Sequence, residues 1–530
     1  MVNKIFCYIS IFVTFCFLSF FSGTSSILAK KSGGTFIKVI ENEPATLDYL
    51  FGKDFGALTA ATNFYNTLLT YDYNFDLHPE LAKSWEISDD GLRYTFKLRN
   101  DVKWHDGKRF TANDVEFTYR EMTCKKHNRA KTWCPRVESF SSPSDDTFVI
   151  KLKSRYAPLL TILGDFNTGT LIRPKHIWEN GIDKNNNQLY NPVGTGPFIF
   201  KKWVKGSHIE LVKNKNYWKQ GLPLLDKVVI QFLPDESGRL AAFENGDIDM
   251  IHSYILPYEH VKRFKKDPRY QVIPHGNEGT GTNENLLMNH DNKYLKDKNV
   301  RHAIAFALNK EEIADAAMFG ASEPTYGHVH PGVKWIYFPQ YDYPQNILVS
   351  NLLLDNAGFK RGTNGTRFTL RLYYAFGRAF EGRAAEVVRA NLKKVGIEVK
   401  IKSYDRPAFI ENVFTKRNFD MAHQLFTTSP DPTLSVVHRY KSSNIGRAFA
   451  NAAGWVNKEY DKLTDLEVGI TNVTKRAATW QRIQQILMDE LPGYPLFGMP
   501  NIQLVRAGFA DVITSPIGYN GSLENAYLTK

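Results

Sequence analysis

The chain has 530 residues, enough for two or three domains with substantial cores. Hydrophobic residues make up 43% and charged residues 23%, the balance of an ordinary globular protein without low-complexity tracts. The formal net charge is +12, but the basic residues are scattered among acids, in pairs such as Lys125-Lys126, Lys201-Lys202 and Lys265-Lys266. No recognition-helix, RNP or zinc-finger pattern accompanies them, so a solvated surface is expected and no nucleic-acid partner.

Met1 to Lys4 is a short basic start, Ile5 to Phe21 is almost continuously apolar, and Ser22 to Ala29 is small and polar. This layout predicts a cleaved secretory signal peptide over residues 1–29 and a periplasmic product. The alternative is an uncleaved anchor of near-spanning length. Cys16 is not preceded by a lipoprotein box, since Val13-Thr14-Phe15 is too bulky.

Gly33 to Ile40 reads as an apolar strand and Asn63 to Leu69 as a helix. Leu92 to Arg99 alternates apolar and polar residues, the pattern of a strand with one buried face. His105-Asp106-Gly107 makes a turn, with Gly107 free to take positive φ. Thr111 then reads as a helix N-cap, with Asp114 completing a capping-box-like pattern. Cys124 and Cys134 close a short loop and are expected to pair in an oxidising compartment. The alternative, a two-cysteine metal site, lacks further ligands and the usual C-x₂₋₄-C spacing.

Gly194-Thr195-Gly196 hints at a phosphate loop, but Pro197 starts a strand where a helix should begin. Val228 to Phe232 is a strand, and Gly238 to Phe243 a helix stopped at Asn245-Gly246. Asp247 and Asp249 are close enough to suggest metal or acid/base chemistry, though a capped turn entering a strand explains them. Gly276, Gly279 and Gly281 suggest a hinge. Asn299 to Lys310 is helical by periodicity. His328 and His330 would face the same way in a strand, compatible with a metal pair, but they lie in a Pro/Gly-rich loop. Asn346 to Ala357 is a helix closed by Gly358. Phe368 to Tyr373, Glu381 to Lys394 and Ile397 to Ile401 form a strand–helix–strand unit, which implies parallel pairing. Phe419 to Pro432 is a strand running into a polar loop, and Arg476 to Glu490 an amphipathic helix. No G-x-S-x-G elbow, H-E-x-x-H helix or placed Cys–His pair occurs, so no catalytic residue is expected; only a paired-carboxylate glycosidase stays open.

Several motifs occur together, and in order: HDGKRFTANDV from His105, GTGPFIFKKW from Gly194 with NKNYWKQGLPLLD after it, Glu244 to Asp249, Val300 to Lys310, and Asp355 to Phe359. This ordered set resembles bacterial extracellular solute-binding proteins of family 5, the oligopeptide/dipeptide-binding type, from about Gly33 to the C-terminus. The resemblance implies an α/β, two-lobed periplasmic binding protein of class II with mixed sheets. It places lobe I in residues 30–75, 191–274 and 496–530, an extra subdomain of lobe I in 76–190, and lobe II in 275–495. Leu491 to Leu496 resembles a strand returning to lobe I. The resemblance also implies a peptide or peptide-like solute held between the lobes, an inner-membrane ABC permease as partner, a monomer, and no cofactor or metal.

For the solute, the resemblance points to Leu425, Phe426, Thr427 and Thr428, with Phe55 approaching from lobe I and Trp133 from the subdomain. Alignment on Pro430-Asp431-Pro432 puts Thr428 where peptide-binding relatives carry an aspartate for the peptide's amino group. That departure opens other solutes: a modified peptide, an opine, a sugar conjugate, or a heme or nickel complex. A sensing role in place of import is the remaining alternative.

Overall fold

The computed structural model describes residues 30–52, 55–165, 170–183, 185–256, 258–276, 281–338, 342–376 and 378–529. The expected signal peptide lies outside them. Among the described residues, no helix is long and apolar enough to cross a membrane.

Strand β1 (Thr35–Ile40) starts lobe I, followed by helix α1 (Phe55–Phe64). The helix expected at Asn63 to Leu69 is displaced: α1 ends at Phe64, and Leu69–Tyr71 is instead a strand paired with Leu77–Pro79. The extra subdomain carries β2 (Ala82–Ile87), β3 (Arg93–Leu98), helix α2 (Ala112–Phe117), β4 (Val137–Ser144) and β5 (Thr147–Leu152), with a four-stranded sheet in the order β2-β3-β5-β4. The alternation of Tyr94, Phe96 and Leu98 buries one face of β3, as the pattern predicts. Gly107 takes φ +88°. Asp114 accepts from the Thr111 backbone N–H at 2.9 Å, and Thr111 caps in return. Cys124 and Cys134 form a disulfide with a Cα–Cα separation of 5.6 Å.

The chain re-enters lobe I through β6 (Phe198–Val204), β7 (His208–Lys213), β8 (Lys227–Phe232), helix α3 (Glu236–Asn245), β9 (Met250–Ile251) and β10 (Tyr270–Ile273). The glycines before β6 answer a steric demand. A Cβ on Gly194 would sit 1.6 Å from the Phe64 carbonyl oxygen, and one on Gly196 would sit 2.6 Å from its carbon. Gly196 N–H donates to that same oxygen at 3.0 Å. The Gly-x-Gly lets this loop lie flat on the end of α1; it is a packing device. Asp249 likewise has a structural task, accepting from the Ile37 N–H at 2.8 Å and from Arg506 at 3.1 Å.

Lobe II holds β11 (Thr282–Met288), α4 (Lys298–Ala307), α5 (Lys310–Met318), α6 (Ile347–Asn356), β12 (Phe368–Ala375), α7 (Ala379–Lys394), β13 (Ile397–Tyr404), β14 (Met421–Thr427), α8 (Val436–Tyr440), α9 (Lys458–Glu467), α10 (Val473–Glu490) and β15 (Gly493–Gly498). Its sheet runs β13-β12-β14-β11-β15. β12 and β13 pair in parallel across α7, as the strand–helix–strand pattern requires, while β11 is antiparallel to both β14 and β15. β15 contains most of the stretch expected to return to lobe I, yet it is an edge of the lobe II sheet. The return comes with β16 (Gln503–Arg506), in the seven-stranded sheet β10-β16-β9-β1-β8-β7-β6. Thus β10 and β16, which flank lobe II in sequence, are neighbours in space: Ile273 pairs with Gln503 and Tyr270 with Arg506. The tail is tied to lobe I, with Thr62 donating to the Asn520 carbonyl and Lys219 bridging Glu80 and Glu524 at 2.9 and 2.8 Å.

Candidate functional site: one face of the lobe II sheet

Strand periodicity sorts the side chains of β11 and β14. The register pairs Asn283 with Phe426, Asn285 with Gln424 and Leu287 with Ala422, all on one face. Glu284, Leu286, His423 and Leu425 occupy the other. That second face is core: Leu286 is fully buried among α4, α5 and α7 residues, and Leu425 packs against the same cluster.

The core face carries one polar pair. His423 Nδ1 lies 3.0 Å from Glu284 Oε1, with both side chains fully buried. Burial pushes the Glu284 carboxyl up to about 8 and the His423 imidazole down to about 4. Both are therefore neutral near pH 7, and the contact is a hydrogen bond between uncharged groups, not an ion pair. Glu381 on α7 is also raised, to about 7, by burial and then by the Glu284 charge. Arg378 pairs with it at 2.6 Å.

The first face adjoins a smaller buried cluster that includes Leu287, Ala422 and Phe426, and it carries amide side chains in place of an acid–imidazole pair. Asn283 Nδ2 and Oδ1, Asn285 Oδ1 and Gln424 Oε1 are buried with no hydrogen-bond partner among the described residues. Asn285 uses its amide nitrogen on the Asn283 carbonyl at 2.9 Å, and Gln424 uses its own on the Leu425 carbonyl at 2.6 Å. Thr325 Oγ1 and His328 Nε2 are unpartnered too. A Cβ on Gly498 would lie 3.6 Å from Thr325 and 3.7 Å from Asn283, so both side chains border the same glycine. His328 Nδ1 meets the Tyr440 hydroxyl at 3.1 Å, and burial holds the imidazole well below its usual pKa. Buried polar atoms normally find partners, and each one left without costs about 1–3 kcal/mol. Several clustered on one face form a polar surface suited to an enclosed polar guest.

Beyond Phe426 the strand enters the Thr428 to Pro432 loop. Thr428 is buried: its N–H donates to the Gly281 carbonyl at 2.9 Å, and its hydroxyl accepts from the His330 N–H at 3.2 Å. Arg439 on α8 reaches back, donating from Nη2 to the Thr427 carbonyl at 2.8 Å, with its guanidinium 3.9 Å from the centre of the Phe426 ring. Asp431 is committed elsewhere. Arg476 on α10 grips it with two hydrogen bonds of 2.7 and 2.9 Å and gives a third, of 2.8 Å, to Glu467. Burial opposes the charge on Arg476, but the two carboxylates outweigh it and raise its pKa. This triad fixes the loop where the lobes meet. Leu434 and Val468 pack against the subdomain core, and the Ala157 N–H donates to the Val468 carbonyl at 2.7 Å.

The comparisons with known proteins agree with this architecture. Residues 76–447 match the family model described as bacterial extracellular solute-binding proteins, family 5 Middle. The chain belongs to this family. The oligopeptide-binding protein AppA of Bacillus subtilis (strain 168) is 29% identical over 510 residues, covering 92% of this chain and 91% of the relative. The heme-binding protein A of Haemophilus influenzae is 30% identical over 485 residues, covering 86% and 85%. The structure of Bacillus subtilis AppA in complex with a nonapeptide superposes with a TM-score of 0.78 at 26% identity, covering 95% of this chain and all of that one. Family 5 proteins are solute-binding components of ABC transporters and are non-enzymatic.

Within this solute-binding protein, Phe426, Thr427 and Thr428 come together with Arg439 and Asn283. Leu425, one residue before Phe426, points into the lobe II core, so strand alternation separates its side chain from that of Phe426, while Thr427 meets Arg439 through its backbone carbonyl. Trp133 is 1% exposed and packs edge-on to Tyr119 and Phe140 in the subdomain core; it is a core side chain here, because the disulfide loop folds inward over β4 and β5. Phe55 is 48% exposed at the start of α1. His328 and His330 lie outside any strand, and no group of three or more metal-ligating side chains occurs among the described residues. The sequence did not single out Asn283, Asn285 or Arg439, and it offered Gln424 only as one member of the Phe419 to Pro432 stretch. The alternation of polar Asn283 and Asn285 against Leu287 on a strand buried on both faces was the available signal.

Proposed function

We propose that this protein is the periplasmic substrate-binding component of an ABC importer. It captures a peptide or peptide-like solute between its lobes and delivers it, unchanged, to an inner-membrane permease. The observation that carries this reading is the set of unpartnered polar atoms on Asn283, Asn285 and Gln424, on a buried sheet face beside the lobe junction. An extended peptide offers backbone donors and acceptors at regular intervals to such a face. Lobe closure by hinge motion would then enclose it. A relative crystallised with a nonapeptide supports the peptide class.

The test is native mass spectrometry of protein released from the periplasm, followed by calorimetric titration with the solute recovered. A peptide mass that dissociates intact supports the proposal. A co-purified non-peptide mass, or conversion of the solute on incubation, refutes it. Because a relative 30% identical is named for heme, absorbance near the Soret band of the purified protein tests the second reading directly.

A further inference from the structure

Five arginines are buried among the described residues: Arg173, Arg239, Arg301, Arg439 and Arg476. Four of them have acids acting on their charge. Asp48 grips Arg173 at 2.6 and 2.7 Å, and Glu490 meets Arg301 at 3.4 Å. Asp431 and Glu467 hold Arg476. Arg239 feels Glu41, Glu236 and Asp235.

Arg439 breaks the pattern. It is 4% exposed. No carboxylate lies within ion-pair distance of it among the described residues. The groups acting on its charge are the phenols of Tyr440 and Tyr460, and burial draws its pKa below the usual value. Its Nε has no hydrogen-bond partner among the described residues. The imidazole of His328 beside it is neutral and supplies no compensation. Nearby acids are spent or turned away: Asp431 belongs to Arg476, and Glu284 lies on the opposite sheet face, in contact with His423.

An uncompensated buried guanidinium is costly to maintain, and its fork of N–H groups matches a carboxylate in two-point geometry. The Phe426 ring centre lies 3.9 Å from the guanidinium carbon, so the ring covers one side of the group. The register places Asn283 directly across from Phe426, and its amide atoms, unpartnered among the described residues, face groups flanking an anion.

Resting on the reading above, we infer that the solute of this protein carries a carboxylate that seats against Arg439, between Phe426 and Asn283. The site thus selects for negative charge at the point where the sheet face meets the Thr428 loop. Recognition of a solute's free amine would need a carboxylate there, and the described residues leave none available.

The experiment uses the full mature chain and three pools of synthetic tri- to hexapeptides with uncharged side chains: free acids, C-terminal amides, and C-terminal amides bearing one glutamate. Melting temperature and calorimetric affinity are read for the wild type, Arg439→Gln and Arg439→Lys. The expected result is a melting shift of several degrees with free acids and binding at least 30-fold weaker with plain amides. Arg439→Gln should lose the distinction between acids and amides, and Arg439→Lys should keep part of it. Recovery with the glutamate-bearing amides would assign the carboxylate to a side chain; recovery with free acids alone would assign it to the C-terminus. Equal binding of acids and plain amides by the wild type overturns this inference while leaving the peptide reading intact. No binding of any pool overturns the peptide reading and this inference with it. Should Arg439→Gln fail to fold, the acid-against-amide comparison on the wild type decides alone.

Discussion

Glu284 offers a direct test of the buried polar pair beneath the candidate site. Its carboxyl moves from the ordinary glutamate value of about 4.5 to about 8 on folding, chiefly by burial. Between those values the folded protein keeps a proton that the unfolded chain has released. Stability is therefore full below about pH 4.5 and falls as pH rises toward 8, by about 1.4 kcal/mol per unit. From pH 5 to pH 7 the loss from this one group is on the order of 2–3 kcal/mol. Glu284→Gln keeps the shape and the hydrogen bond to His423 but has nothing to titrate. Glu381, raised by burial first and then by the Glu284 charge, keeps only the burial part of its rise in the variant, which adds to the variant's gain with pH. Urea unfolding of wild type and variant at pH 5, 6, 7 and 8 should show the variant gaining steadily with pH, and exceeding the wild type by pH 8. A difference that stays constant within about 0.5 kcal/mol over that range would refute the assignment of a neutral, buried carboxyl.

Other substitutions probe other parts of the argument. Arg476→Met leaves Asp431 and Glu467 buried and unpaired, with an expected loss of about 3–5 kcal/mol, read by thermal denaturation at pH 7; adding Asp431→Asn should recover part of it. Asn283→Leu replaces an amide whose two polar atoms have no partner among the described residues, so it should raise stability by about 1–2 kcal/mol while weakening solute binding in calorimetry. Gly194→Ala puts a methyl 1.6 Å from the Phe64 carbonyl oxygen; the protein should fail to accumulate as a soluble species, and a melting temperature within 2 °C of wild type would contradict the packing argument.

What could be read from the sequence followed the range of the interaction that fixes it. The Thr111–Asp114 cap spans three residues, and the βαβ unit of β12, α7 and β13 is a run of local periodicities; both are legible because their causes are local. The Gly194-Thr195-Gly196 loop shows its glycines but not their reason, which is the end of α1 some 130 residues earlier. Asp431 stands out as part of a motif, yet its holder, Arg476, is 45 positions away and looks like any exposed helix cation. Phe426 and Leu425 were both candidates because the motif marks a stretch of chain; only the pairing register of β14 on β11 tells which of the two turns toward the polar face. Trp133 misled for a related reason: a tryptophan in a short disulfide loop gives no sign of whether the loop folds outward or back onto its sheet.

The direct pairing of Ile273 with Gln503 has a consequence for how the molecule can be dissected. Residues 281–499 leave the seven-stranded sheet and rejoin it at adjacent rungs of one ladder, so the whole of that segment behaves as an elaborate loop inserted into a hairpin. Two side-by-side tethers resist sliding and splaying more than they resist bending together, so a swing about their common line is the relative motion this connection favours. The same geometry allows the inserted segment to be replaced by a short turn joining the two ladder ends, giving a minimal lobe I whose sheet keeps every strand it has in the full protein.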